Sequence, residues 1–199
     1  MIRSARFTRI PKPVKEFLLK ATILFVAWKA VYLLLLQPGR VLDKPLTYII
    51  GKSTAATLSL FNPSGDYNAI STLHPKGLGN EGLEPVMAIR SGQTALLDIA
   101  DVCNGLELLA LYAGLILCLP AARTRKITFI LGGIIGIEFL NVLRCAGLVA
   151  VYLQKPGWLD FSHHYLFTFV VYAFIFWLWY LFSRNPEFAK KLQLDATPR

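Results

Sequence analysis

The sequence predicts an all-α membrane protein: a polytopic bundle of about four transmembrane helices, with an extracytoplasmic segment that contains a short β-hairpin. Three observations predict it. Of 199 residues, 55% are hydrophobic and only 17% are charged, against about 25% charged in an ordinary soluble domain. The apolar residues gather in runs of the length that crosses a bilayer, about 20 residues. The basic residues collect between those runs in alternate gaps. With a mean hydropathy of +0.50, a disordered chain is excluded, because such chains are polar. A net charge of +9 on so apolar a chain points to cations sorted to one side of a membrane, and no nucleic-acid partner is expected.

The spans follow in order. Residues 17–36 supply the first, with Lys29 as its interior charge; it ends in Gln37-Pro38-Gly39 with no small-residue cleavage site, so it is expected to remain as an anchor. Residues 102–119 supply the second and contain Glu107. Residues 127–153 supply the third, with Glu138 and Arg144, and residues 161–182 the fourth, opening with His163 and His164. Leu46 to Phe61 is weaker, since Gly51, Lys52 and several Ser and Thr interrupt it; it reads as an interfacial or re-entrant helix, with a fifth span as the alternative. The whole chain, 1–199, is expected to be one membrane domain.

Arg3, Arg6, Arg9, Lys12 and Lys15 precede the first span; Arg123, Arg125 and Lys126 separate the second from the third; Arg184, Lys190 and Lys191 follow the fourth. Four spans place all three clusters on one side. The positive-inside rule makes that side cytoplasmic, with both termini in the cytoplasm and residues 37–101 outside the plasma membrane. In that outer segment Asn62-Pro63-Ser64-Gly65 and His74-Pro75-Lys76-Gly77 are turn-rich. Pro85–Ile89 and Thr94–Ile99 read as a hairpin with its turn at Ser91-Gly92.

Unusual residues then fall at one depth. Cys103 and Asn104 open the second span, Asn141 and Arg144 share a helical face late in the third, and His163 and His164 open the fourth. An ionisable group inside a span is costly and suggests function. A thiol, a guanidinium and an imidazole together suit acyl transfer. A neighbouring cation favours the thiolate, an imidazole returns a proton to a leaving amine, and a guanidinium stabilises an oxyanion. Each residue also has a plainer reading. Cys118 and Cys145 are small hydrophobes, Arg144 can snorkel to the interface, and the histidines can be interfacial caps. Glu138 reads better as a structural partner than as a catalyst. The three cysteines form no CxxC pair and take no His at metal spacing, so no metal and no cofactor is expected.

The order Cys103-Asn104-Gly105, then Asn141-Val142-Leu143-Arg144, then a His opening the last span resembles the exosortase/archaeosortase family. The resemblance covers about Pro85 to Phe182. It implies a polytopic cysteine transpeptidase with an essential Cys, Arg and His. Such an enzyme cleaves a C-terminal sorting signal (a short motif, a transmembrane helix and a basic tail) and transfers the acyl group to a cell-surface acceptor. Partners implied are the C-terminal tails of secreted proteins, an acceptor lipid or glycan, and membrane lipids. Typical members carry Cys-Ser-Gly, where Asn104 stands here, and about eight spans, so the likeness is to a compact exosortase-like branch. The expected catalytic set is Cys103 as nucleophile, Arg144 as stabiliser of the thiolate and oxyanion, and His164 as acid/base with His163 as the alternative. Asn104, Asn141 and His163 support them. The competing class is a non-enzymatic scaffold or assembly subunit of an envelope or exopolysaccharide system, in which Cys103 tolerates replacement.

Overall fold

A computed structural model describes residues 12–75, 82–119 and 121–184. The basic residues Arg3, Arg6, Arg9, Lys190 and Lys191, and the Lys76-Gly77 part of the second turn-rich stretch, lie outside them. Helix α1 (Lys12–Val31) continues through a π turn, Tyr32–Leu36. Then come α2 (Asp43–Phe61), β1 (Tyr67–Pro75), β2 (Leu83–Ser91), β3 (Thr94–Ala100), α3 (Leu106–Cys118) and α4 (Arg123–Gln154). The short α5 (Leu159–Phe161) leads through a second π turn, Ser162–Leu166, into α6 (Phe167–Ser183).

Among the described residues three stretches are long and apolar enough to cross a membrane: Lys15–Leu36, Arg123–Gln154 and Pro156–Ser183. The expected second span differs. Its apolar helix has 13 residues and reaches about 20 Å at 1.5 Å per residue, short of a hydrocarbon core of about 30 Å. The residues ahead of it, which the apolar run had drawn into the span, form a 3-10 turn over Asp101–Cys103 and a left-handed Gly105 at φ +82°. Among the described residues the count is thus three helices of spanning length and one shorter apolar helix, so four spans are not confirmed.

The helices meet in two ways. A core of Tyr112, Ile116, Ile137 and Phe182 joins α3, α4 and α6. Gly133 makes it possible, because a Cβ there would lie 2.1 Å from the Tyr112 ring. The Tyr112 hydroxyl donates to the Phe129 carbonyl at 2.7 Å, which keeps the buried phenol satisfied. At the same end Arg125 donates to the Leu181 and Phe182 carbonyls at 3.1 and 3.0 Å, closing the free carbonyls of the last helix. Lys29 of α1 pairs with Glu107 of α3 at 2.5 Å, so two charges in apolar runs answer each other. Much of the remaining apolar surface is outward, as at Leu34, Ile135 and Phe169, which are 74, 71 and 72% exposed. That suits a lipid-facing bundle.

The sheet and α2 form the other half. The strands are antiparallel in the order β1-β2-β3. The expected hairpin is β2–β3, with Ser91 opposite Thr94. Its two-residue loop is Gly92-Gln93, one position later than the sequence suggested. Gly92 at φ +56° supplies the first corner of a type II′ turn. A bulge opposite Ile89 and Arg90 leaves Leu96 as an extra, buried residue. Strand β1 was not expected, because Ala69 is its one buried residue and its alternation is weak. His74 of β1 and Asp98 of β3 meet at 2.5 Å across the central strand. Helix α2, expected as interfacial or re-entrant, lays a buried stripe of Asp43, Thr47, Ile50, Thr54 and Leu58 toward the sheet and α4. Gly51 lets the helix approach Met87, which a Cβ would meet at 3.0 Å. The shared core joins Ile50, Ile89 and Ile99 to Cys145, Ala146 and Val149 of α4.

Candidate active site

The chain leaves β3 at Ala100 and turns directly into the Cys103 segment. The Asn104 amide closes the 3-10 turn on the Asp101 carbonyl at 3.2 Å. The Asn104 side-chain oxygen accepts the Leu106 N–H at 2.9 Å, satisfying one of the free amides at the start of α3. Gly105 is needed here for two reasons. Its φ lies in the left-handed region, and a Cβ would press on Asn141 Nδ2 at 3.2 Å and Glu138 Oε1 at 3.3 Å.

A polar cluster from α1, the following loop and α2 holds this turn. Asn104 Nδ2 donates to Asp43 Oδ1 at 3.0 Å and to Thr47 Oγ1 at 3.2 Å. The Thr47 hydroxyl donates to Asp101 Oδ1 at 2.8 Å. Arg40 grips the Asp101 carboxylate with Nε and Nη2, at 2.5 and 2.7 Å, the two-pronged geometry that a guanidinium suits. That hydrogen bond raises the Arg40 pKa against the opposing effect of burial. The Tyr32 hydroxyl lies 3.2 Å from both Asp43 oxygens. Asp43, Thr47 and Asn104 are buried.

Helix α4 supplies the opposite wall. Asn141 Nδ2 donates to the Cys103 carbonyl at 3.3 Å. Three residues further along the same face, Arg144 Nη2 lies 3.0 Å from His163 Nε2. Arginine only donates, so His163 accepts through Nε2 and carries its proton on Nδ1. Arg144 Nε is buried without a partner, as are both carboxylate oxygens of Glu138. Among the described residues no carboxylate pairs with Arg144. The His164 ring stands edge-on to His163 at 4.8 Å and makes no hydrogen bond to Arg144. The π turn Ser162–Leu166, closed by the Phe167 amide on the Ser162 carbonyl, carries both histidines; such turns recur at functional sites. A cavity of about 280 Å³ opens beside Ser162, lined also by Val151, Lys155 and Trp158. Cys103 is half-buried with a free thiol, packed against the core that contains Cys145, and Cys118 is also free.

The structure thus brings Cys103 and Asn141 together, and Arg144 and His163 together, on one face of α4. A family model for transmembrane exosortases (Exosortase_EpsH) matches residues 15–182. The chain belongs to the exosortase family. No curated protein and no solved structure matches it. Membership makes this a multi-pass membrane protein of a family of sorting transpeptidases, and exosortases are generally cysteine enzymes. The matched region extends well upstream of Pro85 and takes in α1, α2 and the sheet.

Sequence reasoning missed Tyr32, Arg40, Asp43 and Thr47. No short motif joins them to Cys103, which lies more than 50 residues downstream. One signal was present. Asp43, Thr47, Gly51 and Thr54 repeat at helical spacing, a small polar stripe inside an apolar helix. Such a stripe marks a face turned toward protein polar groups.

Proposed function

We propose that this exosortase-family chain is a cysteine transpeptidase. It cleaves a C-terminal sorting signal of secreted proteins near the extracytoplasmic face and transfers the acyl group to a cell-surface lipid or glycan. Cys103 is the nucleophile. Its thiolate attacks the scissile carbonyl, a C–S bond forms, and the carbonyl electron pair moves to oxygen. The unengaged donors of Arg144 stabilise that oxyanion. The oxyanion collapses, the C–N bond breaks, and a histidine returns to the leaving amine the proton that it took from the thiol. An acceptor amine or hydroxyl then attacks the thioester, gives its proton to the same imidazole, and releases the Cys103 thiolate. Asn104 and Asn141 support the nucleophile's turn.

The observation that carries the reading is the Arg144–His163 contact at 3.0 Å, a part-buried guanidinium bonded to an imidazole instead of a carboxylate. For His163 to act as the acid/base residue, its Nε2 exchanges the Arg144 hydrogen bond for the thiol proton, since Nδ1 already carries one; His164, exposed and edge-on to it, is the alternative. The positions of the basic clusters favour cytoplasmic termini and an extracytoplasmic site. The test co-expresses the chain with a secreted protein ending in a motif, a span and a basic tail. Wild type shortens that protein and Cys103→Ala does not, although the variant reaches the membrane. Processing by Cys103→Ala at the wild-type rate would sink the proposal in favour of the scaffold reading.

A further inference from the structure

We propose that Asp43 is a positioning residue for Cys103, acting through Asn104. The inference rests on Cys103 being the nucleophile. Asp43 is 2% exposed and lies in the first turn of α2. Burying a carboxylate is costly unless donors surround it. The Asp43 carboxylate has two, the Tyr32 hydroxyl and Asn104 Nδ2. Helix α2 does not need an acid there in order to pack, since the same stripe continues through Ile50 and Leu58.

An ionised carboxylate only accepts. Asp43 therefore obliges Asn104 to present its NH₂ toward α2 and its oxygen toward the Leu106 amide, the orientation that caps α3. Thr47, one turn beyond Asp43, accepts from the same amide and donates to Asp101. The residue two before Cys103 and the residue just after it are thus fixed to neighbouring turns of one helix. Asn141 fixes the Cys103 carbonyl from α4. The Cys103 thiol itself makes no hydrogen bond among the described residues, while Asp101, the Cys103 carbonyl and Asn104 around it are all held. A misplacement of about 1 Å at a reacting group costs on the order of 10²-fold in rate, so an orienting carboxylate one residue removed can control a thiol it never touches.

The test measures alkylation of Cys103 by iodoacetamide in the full chain in detergent micelles, across pH, with Cys118 in the same sample as the internal reference. In wild type Cys103 reacts faster than Cys118 at neutral pH. Asp43→Asn, which keeps the size and can turn its own NH₂ toward Asn104, slows Cys103 about 10-fold and leaves Cys118 unchanged. Asp43→Ala slows it further. Exchanging the two groups, Asp43→Asn with Asn104→Asp, restores an amide-to-carboxylate bond and recovers most of the rate. A merely structural role would lower thermal stability in each single variant without a selective change at Cys103. Asp43→Asn and Asp43→Ala leaving the Cys103 profile at the wild-type rate would overturn the inference. If wild-type Cys103 reacts no faster than Cys118, the nucleophile reading itself fails, which is a separate result. Should Asp43→Ala not fold, Asp43→Asn and the exchanged pair decide the question.

Discussion

On the α2 side of Cys103 the five side chains Arg40, Asp43, Thr47, Asp101 and Asn104 all have partners. On the α4 side three buried polar atoms, Arg144 Nε and both Glu138 oxygens, have none, whereas along the buried stripe of α2 Thr54 Oγ1 is the one such atom among the described residues. The two walls enclose the same turn and come from the same chain, so the contrast is informative. A satisfied network holds one geometry, because every alternative leaves a buried donor or acceptor orphaned. An unsatisfied wall keeps hydrogen-bonding capacity in reserve for something that arrives later. The first wall therefore shapes the turn, and the second holds buried hydrogen-bonding groups that the chain itself does not use.

The largest expected effects break the unsatisfied wall. Arg144→Ala removes the oxyanion donors and lowers processing of the co-expressed substrate about 10²–10³-fold, with the amount of membrane-inserted protein unchanged. His163→Ala lowers processing about 10²–10⁴-fold. His164→Ala, which removes only the edge-on ring, lowers it far less; equal losses at the two positions would return the acid/base role to His164. At Asn104 and Gly105 the effect is read as stability, alongside the Cys103 alkylation rate. Asn104→Ala leaves Asp43 and the Leu106 amide short of partners and destabilises the fold by about 1–3 kcal/mol, measured as the thermal midpoint in detergent. Gly105→Ala forces a side chain into the left-handed region at about 1–2 kcal/mol, and its Cβ also presses on Asn141. The smallest effect is at Lys29 and Glu107, whose side chains are 34 and 62% exposed. A double-mutant cycle there gives a coupling under about 1 kcal/mol.

The sequence made some of this legible and hid the rest for identifiable reasons. Long apolar runs announced α1, α4 and the last helix, because each run buries or exposes its whole circumference to lipid. The hairpin was visible through Gly92 and its flanking apolar strands. Strand β1 was hidden because Ile70 and Leu73 are exposed, at 46 and 58%, which blurs the two-residue alternation. Cys103, Asn141 and Arg144 stood out as polar residues in apolar surroundings. Asp43 and Thr47 did not, since a polar residue in a short amphipathic helix is unremarkable until its partner across the fold is known. In the sequence His164 stands ahead of His163 only by having more of its neighbours inside the span, whereas the structure sets His163 against Arg144 within the π turn Ser162–Leu166.

The shortness of α3 also sets a depth. Arg123, Arg125 and Lys126 lie at the end of the bundle where α3 finishes, with Arg125 closing the last carbonyls of α6, and charged side chains there mark one boundary of the hydrocarbon. From that boundary 13 residues climb about 20 Å, roughly 10 Å less than the hydrocarbon thickness. The 3-10 turn at Asp101–Cys103 and the left-handed Gly105 therefore carry the chain beyond the helix in irregular backbone, where Asn141 Nδ2 of α4 donates to the Cys103 carbonyl.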